Sequence, residues 1–306
     1  MTNLLLLLMC LVVGAWLRWR QAVPAGTAAV LNQLLVLVFM PALTFLHLAD
    51  AHLDRHFLLP VLAPWLIFGM SGLLFGTLGP RLGLSRNTVG ALIITAGISS
   101  TSFVGFPIFE LLYGPAGLEL GIMMSQAGSF LIGVTLGVAV SAWYGSAEPS
   151  WRSMAGTVLR FPPFVAFVLA LGANAAGYRH PELVRGVLEK LSAPFSVVAL
   201  LSVGLQMNLK VPQAQRRALG LGLTYKLLLA PLLIFGLYHG LGAQPSRVVD
   251  LCVLGAAIGP MNTAAVVAER YGLNPPLAAQ MVGLGIPLSL PLLALLAWWL
   301  GAVGPH

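Results

Sequence analysis

Charge is what this chain has least of. Only 8% of its 306 residues are Asp, Glu, Lys or Arg, against about 25% in soluble domains. That scarcity excludes a soluble enzyme or a secreted binding module. It also excludes disorder, which needs sparse apolar content and dense charge. Cysteine is nearly absent too: Cys10 and Cys252 each stand inside an apolar run, with neither a disulfide framework nor metal-ligand spacing around them. There is no His-Glu-x-x-His, no Gly-x-Ser-x-Gly, no phosphate loop and no pair of catalytic carboxylates. The sequence therefore predicts no enzyme, no bound cofactor and no metal.

What is present in excess is apolar: 58% hydrophobic residues, interrupted by 34 glycines and 21 prolines. A membrane-spanning helix takes about 20 apolar residues and a short connection, so the chain has room for about ten spans. The apolar runs fall at 3–17, 25–48, 57–79, 87–113, 117–144, 156–177, 183–207, 216–241, 248–271 and 275–300. The first has no basic region before it and reads as a retained span, not a removed signal peptide. The net charge of +7 comes from basic residues between the runs, where they set topology instead of binding nucleic acid.

The polar stretch 146–155 divides the runs into halves, 1–145 and 156–306, and the halves resemble each other. Ala63-Pro64-Trp65-Leu66-Ile67-Phe68-Gly69 in the third run matches Ala230-Pro231-Leu232-Leu233-Ile234-Phe235-Gly236 in the eighth. The fourth and ninth runs both end in Tyr-Gly, at Tyr113-Gly114 and Tyr271-Gly272. Leu31-Asn32-Gln33-Leu34 corresponds to Leu188-Glu189-Lys190-Leu191. Five spans per repeat force the second half to be inverted. Arg18, Arg20, Arg81, Arg86, Arg152, Lys210, Arg216, Arg217 and Arg270 gather on one side, while Arg55, Arg179, Arg185, Lys190 and Arg247 share the other with five carboxylates. The more basic side is expected to be cytoplasmic, which makes 146–155 a cytoplasmic linker and puts both termini outside.

Two runs are broken at matching depth. The fourth reads Ile98-Ser99-Ser100-Thr101-Ser102-Phe103-Val104-Gly105-Phe106-Pro107, and the ninth reads Gly259-Pro260-Met261-Asn262-Thr263. Hydroxyls compete for backbone groups, and proline removes a donor and crowds the preceding turn. Unwound backbone at membrane depth is tolerated only where protein buries it or a watery cavity receives it. Pro107 and Pro260 are placed to start second half-helices, whose N-termini would face each other near the midplane. With Ser100, Thr101, Ser102, Gly105, Asn262 and Thr263 around them, these ends form a candidate anion site. Gln126, Ser129 and Gln280 in neighbouring spans either face that crossing or make interhelical hydrogen bonds. Lys226 lies nine residues past Arg217, ~13 Å along a helix. It either attracts an anionic substrate or snorkels to the cytoplasmic surface. Glu110 is expected at an interface, and His47, His52 and His56 read as solvated residues, not metal ligands.

These residues resemble the auxin efflux carrier family, bacterial members of which are often linked to malonate or malate. The likeness runs from Leu31-Asn32-Gln33-Leu34 to Pro41-Ala42-Leu43, through Phe103-Val104-Gly105-Phe106-Pro107 to Tyr113-Gly114, and Arg160-Phe161-Pro162-Pro163. It continues through Pro194 to Gly204-Leu205, Lys226-Leu227-Leu228-Leu229-Ala230-Pro231, and Pro260 to Tyr271-Gly272. The family commonly has Asn where Ser100 stands, a longer interval after Pro260, and in plants a long loop in place of 145–154. The resemblance implies ten spans as two inverted repeats with crossing fourth and ninth helices, a fold shared with bile-acid sodium symporters. It implies a scaffold of 1–48 and 156–207, which could also carry a homodimer surface, and a moving transport part of 57–144 and 216–300. The expected function is carriage of a small organic anion, a monocarboxylate or a dicarboxylate, across a bacterial inner membrane by an elevator motion. Proton and sodium coupling both stay open; a sodium symporter and an ion channel are the alternatives.

Overall fold

The computed structural model describes residues 2–24, 26–145, 156, 159–207, 215–241 and 246–302. The linker expected at 146–155 lies outside them, as does the side chain of His56. Among the described residues the regular elements are helices, because apolar segments in lipid must satisfy their own backbone groups. The chain runs through α1 (Thr2–Trp19), α2 (Thr27–Leu48), α3 (Leu58–Arg81), α4 (Arg86–Gly97) and α5 (Thr101–Tyr144). It continues through α6 (Pro162–Ala175), α7 (Glu182–Ser192), α8 (Phe195–Gln206) and α9 (Arg216–Gly240). It ends in α10 (Arg247–Ala257), α11 (Asn262–Arg270) and α12 (Pro275–Trp299).

Among the described residues six stretches are long and apolar enough to cross a membrane: α2, α3, α5, α7 with α8, α9 and α12. The apolar parts of α1 and α6 are shorter. The run expected as the ninth span is two helices, α10 and α11. The fourth is likewise divided, between α4 and the start of α5. At Gly114 (φ 66°, ψ −157°) the backbone leaves the helical region, so α5 is two helices meeting there, the second covering the run expected as the fifth span.

Three prolines share one local device. Pro41, Pro107 and Pro231 each follow, by two residues, a widened π-helical turn, at Leu35–Phe39, Thr101–Gly105 and Tyr225–Leu229. A proline ring collides with the carbonyl four residues back, and in each case that carbonyl (of Leu37, Phe103 or Leu227) lies inside the widened turn. Opening the turn accommodates the ring without ending the helix. This corrects one expectation: Pro107 does not start the second half-helix. The helix resumes six residues earlier, at Thr101, and Pro107 is carried within it.

The chain forms two compact units. The first comprises Met1–Arg55, Ser102–Ile122 and Ala155–Met207. In it α1 and α8 touch backbone to backbone: a Cβ on Gly14 would sit 2.3 Å from the carbonyl oxygen of Leu201 and 3.0 Å from Cα of Gly204. The end of α2 is closed by donors. Asn174 Nδ2 donates to the carbonyls of Leu48 and Ala51 (3.1 and 2.6 Å), Arg179 donates to that of Asp50 (2.7 Å), and Arg185 pairs with the Asp50 carboxylate (2.5 Å). Cations and amides suit a helix C-terminus, where carbonyls lack partners.

The second unit comprises His56–Thr101, Met123–Met154 and Asn208–His306. Here α3 packs on α4 and α10, and two tyrosines of α9 reach α3: Tyr225 donates to the carbonyl of Ile67 (2.5 Å) and Tyr238 to that of Leu59 (2.7 Å). Asn274 caps α12 by accepting from the Leu277 amide, and its Nδ2 donates to Thr88 Oγ1 (2.9 Å). Asn87, at the start of α4, donates to the carbonyl of Gly272 just beyond α11 (3.0 Å). The two divided spans are thus joined at a helix end as well as at their breaks.

Candidate functional site at the paired helix breaks

The second unit contains both breaks. After α4, Ile98 turns extended (φ −118°, ψ 121°); after α10, Ile258 does the same (φ −63°, ψ 137°). The two extended pieces run antiparallel, with Ser99 opposite Pro260. The Ser100 amide donates to the carbonyl of Gly259 (2.9 Å), and the Met261 amide donates to that of Ile98 (3.0 Å). Groups that a continuous helix would have satisfied are therefore satisfied by the other break, as burial at membrane depth demands. The bonds flank the Ser99–Pro260 pair, so this is a non-hydrogen-bonded position of the ladder. No amide is required of Pro260 there, which is why proline fits. The helix after it begins at Asn262, two residues later than expected from proline's preference for a first turn.

Around this crossing the side chains are polar and buried. Ser99, Ser100 and Thr101 are buried, as are Ser125, Gln126 and Ser129 of α5 and Gln280 of α12. Thr101 donates to Ser129 (3.2 Å). Lys226, in the widened turn of α9, is 0% exposed and donates to Ser99 Oγ at 2.5 Å. It does not snorkel. Among the described residues no carboxylate pairs with it; those of the second unit are Asp250 and Glu269 alone. Glu269 is exposed, and Asp250 lies in the first turn of α10, nine residues before Gly259 and so ~13 Å along a helix from the break. Ser100 Oγ and both amide atoms of Asn262 are buried without a hydrogen-bond partner, as is Gln280 Oε1. Polar atoms buried in this way are costly and suit a ligand that completes them.

The backbone of α12 lies against the second break. A Cβ on Gly285 would meet Cδ of Pro260 at 2.5 Å, and one on Gly259 would meet Cα of Ile286 at 2.6 Å. Both positions need a hydrogen for a side chain.

Of the residues expected at the site, Ser100, Thr101, Gln126, Lys226, Pro260 and Asn262 fall within the second unit and are buried or nearly so, while Thr263 there is exposed. Ser102, Gly105 and Pro107 are buried in the first unit, because the boundary between units cuts the chain between Thr101 and Ser102. Glu110, also of the first unit, is exposed and accepts from Ser196 (3.2 Å). Ser99 was not singled out from the hydroxyl run, and only the reach of Lys226 across 127 positions distinguishes it from its neighbours.

Apolar helices whose breaks bond to one another inside the molecule are the construction of a membrane transport protein. The family model described as "Membrane transport protein" matches residues 1–297. The chain belongs to this family, that of the auxin efflux carriers, and is an integral membrane protein. It is similar to an uncharacterized transporter of Methanothermobacter thermautotrophicus, with 28% identity over 86% of each chain. It is also similar to an uncharacterized transporter of Methanocaldococcus jannaschii, with 24% identity over 97% of this chain and 98% of that one.

Proposed function

We propose that the protein is a carrier of small organic anions, carboxylates in particular, and not an enzyme or a channel. The observation that carries this reading is Lys226: a fully buried amine beside the paired breaks, bonded to Ser99, with no carboxylate partner among the described residues. A cation in such a place is expensive unless an anion joins it. The unpartnered Ser100 Oγ and Asn262 amide, together with the N-terminus of α11, add donors of the kind a carboxylate accepts from. Membership of a transport family supports the carrier over a catalyst.

In this reading the chain has ten spans as two inverted repeats, with the fourth and ninth crossing at the breaks. The segments 57–144 and 216–300 form the moving part, and 1–48 and 156–207 the scaffold and a homodimer surface. The site is exposed to each side in turn by an elevator motion, in a bacterial inner membrane with both termini outside. The test is uptake of labelled malonate and indole-3-acetate into liposomes holding the purified protein, in sodium-containing and sodium-free buffer. Saturable uptake of either is expected. Currents of single-channel size would replace the carrier with a channel, and a rate that collapses without sodium would make it a sodium symporter.

A further inference from the structure

The charge inventory around the crossing limits the charge of what binds there. Six elements reach the turn that holds Lys226: α3, α4, α10, α12 and the two flanking parts of α9. Their charged residues are Arg81, Arg86, Arg216, Arg217, Arg247 and Asp250, together with His239. All lie toward helix ends, and Arg86, Arg216, Arg217 and Arg247 are exposed. At the breaks themselves, between Ile98 and Thr101 and between Ile258 and Asn262, the residues are hydroxyl, amide, glycine, proline or apolar. Among the described residues of the second unit, one amine is therefore the whole ionic complement of the crossing. Unpaired hydroxyls, amides and a helix end can solvate an anion, but they bring no net charge to balance a second negative one.

We infer that the site takes one net negative charge at a time: a monoanionic carboxylate, or a dicarboxylate only with one carboxyl protonated or esterified. This rests on the carboxylate-carrier reading above. It has a consequence for transport. The loaded crossing, ammonium plus monoanion, is neutral, whereas an empty crossing with Lys226 protonated carries a single positive charge. Charge then moves across the bilayer in the return of the empty carrier, not in the passage of the loaded one. A dianion would leave the loaded crossing negative in a low-dielectric interior, which is the arrangement most heavily penalised there.

The experiment compares malonate with its monomethyl ester, nearly the same shape but one charge fewer, on the purified full chain at about pH 7, where both carboxyls of malonate are ionised. Binding is read by calorimetry. The ester is expected to bind at least about tenfold more tightly, a difference of ~1.4 kcal/mol. Malonate affinity should rise as the pH is lowered toward its monoanion. Tighter binding of the dianion at about pH 7 overturns the inference while leaving the carboxylate reading intact. Binding of neither compound, nor of indole-3-acetate, overturns both. In liposomes, exchange of labelled ester against unlabelled ester should be indifferent to an imposed membrane potential, while net uptake responds severalfold. The opposite pattern would place the moving charge on the loaded form and refute the scheme. Lys226→Gln should abolish the potential dependence of any residual net uptake, and Lys226→Arg should preserve it.

Discussion

The two compact units hold their charged groups differently. In the first, charge gathers at a helix end and is answered locally: Arg179 and Arg185, with Asn174, close the carbonyls and carboxylate at the end of α2. Its interior contact between α1 and α8 is made by glycines and bare backbone. In the second, polarity sits mid-span and is answered only in part. The breaks satisfy each other's backbone, Lys226 finds Ser99, and Ser100 and Asn262 are left waiting. Six of the nine carboxylates belong to the first unit: Asp50, Asp54, Glu110, Glu119, Glu182 and Glu189. On the carrier reading proposed above, a unit that only holds its shape can neutralise its cations internally, and one that receives an anion cannot.

Mutations should separate these two economies of charge. The largest functional effect is expected from Lys226→Met: uptake of a carboxylate probe falls about 100-fold or more, while the melting temperature of the purified protein holds or rises, because removing a buried unpaired cation relieves a cost. A melting temperature that collapses with uptake would make Lys226 a structural residue and dissolve the contrast. Next, Gly14→Leu in the first unit forces a side chain into the Leu201 carbonyl. It should cost about 1–3 kcal/mol of stability, seen as a lower denaturation midpoint, with the carboxylate affinity of the surviving folded protein unchanged. Asn262→Ala should weaken binding about tenfold, ~1.4 kcal/mol, with little effect on stability, since no protein partner is lost. If titration shows wild-type affinity, the amide has no part in the site. The smallest effect belongs to Asp50→Asn: the pair with Arg185 is partly exposed, so its loss should cost below about 1 kcal/mol and leave uptake kinetics alone.

The breaks were legible because their composition is foreign to a membrane helix: four hydroxyls in a row at Ser99–Ser102, and Gly-Pro-Met-Asn in the corresponding run. What pattern could not supply was pairing. Periodicity treats each segment alone, so it put the restart of the fourth span at Pro107, where the preference for proline in a first turn points. The structure instead absorbs Pro107 with a widened turn. Nor could it choose Ser99 among four adjacent hydroxyls, since the choice depends on where a lysine from a distant helix arrives. The snorkelling alternative for Lys226 failed for the same reason: depth along a helix was readable, but not which neighbours enclose the side chain. Ser129, which reads as a lone polar residue in sequence, accepts from Thr101, a pairing across 28 positions that periodicity does not report.

The bridge between Ser99 and Pro260 also sets an order of events during synthesis. The amide of Ser100 and the carbonyl of Ile98 are made early, but their partners at Gly259 and Met261 emerge about 160 residues later, roughly 10–30 s at ordinary elongation rates. For that interval the first break has no permanent backbone partners, so the nascent chain must keep it wetted, or shielded by the insertion machinery, until the second half arrives. A ribosome halted near residue 250 would therefore hold a product whose first five runs are complete in sequence but whose fourth cannot yet close.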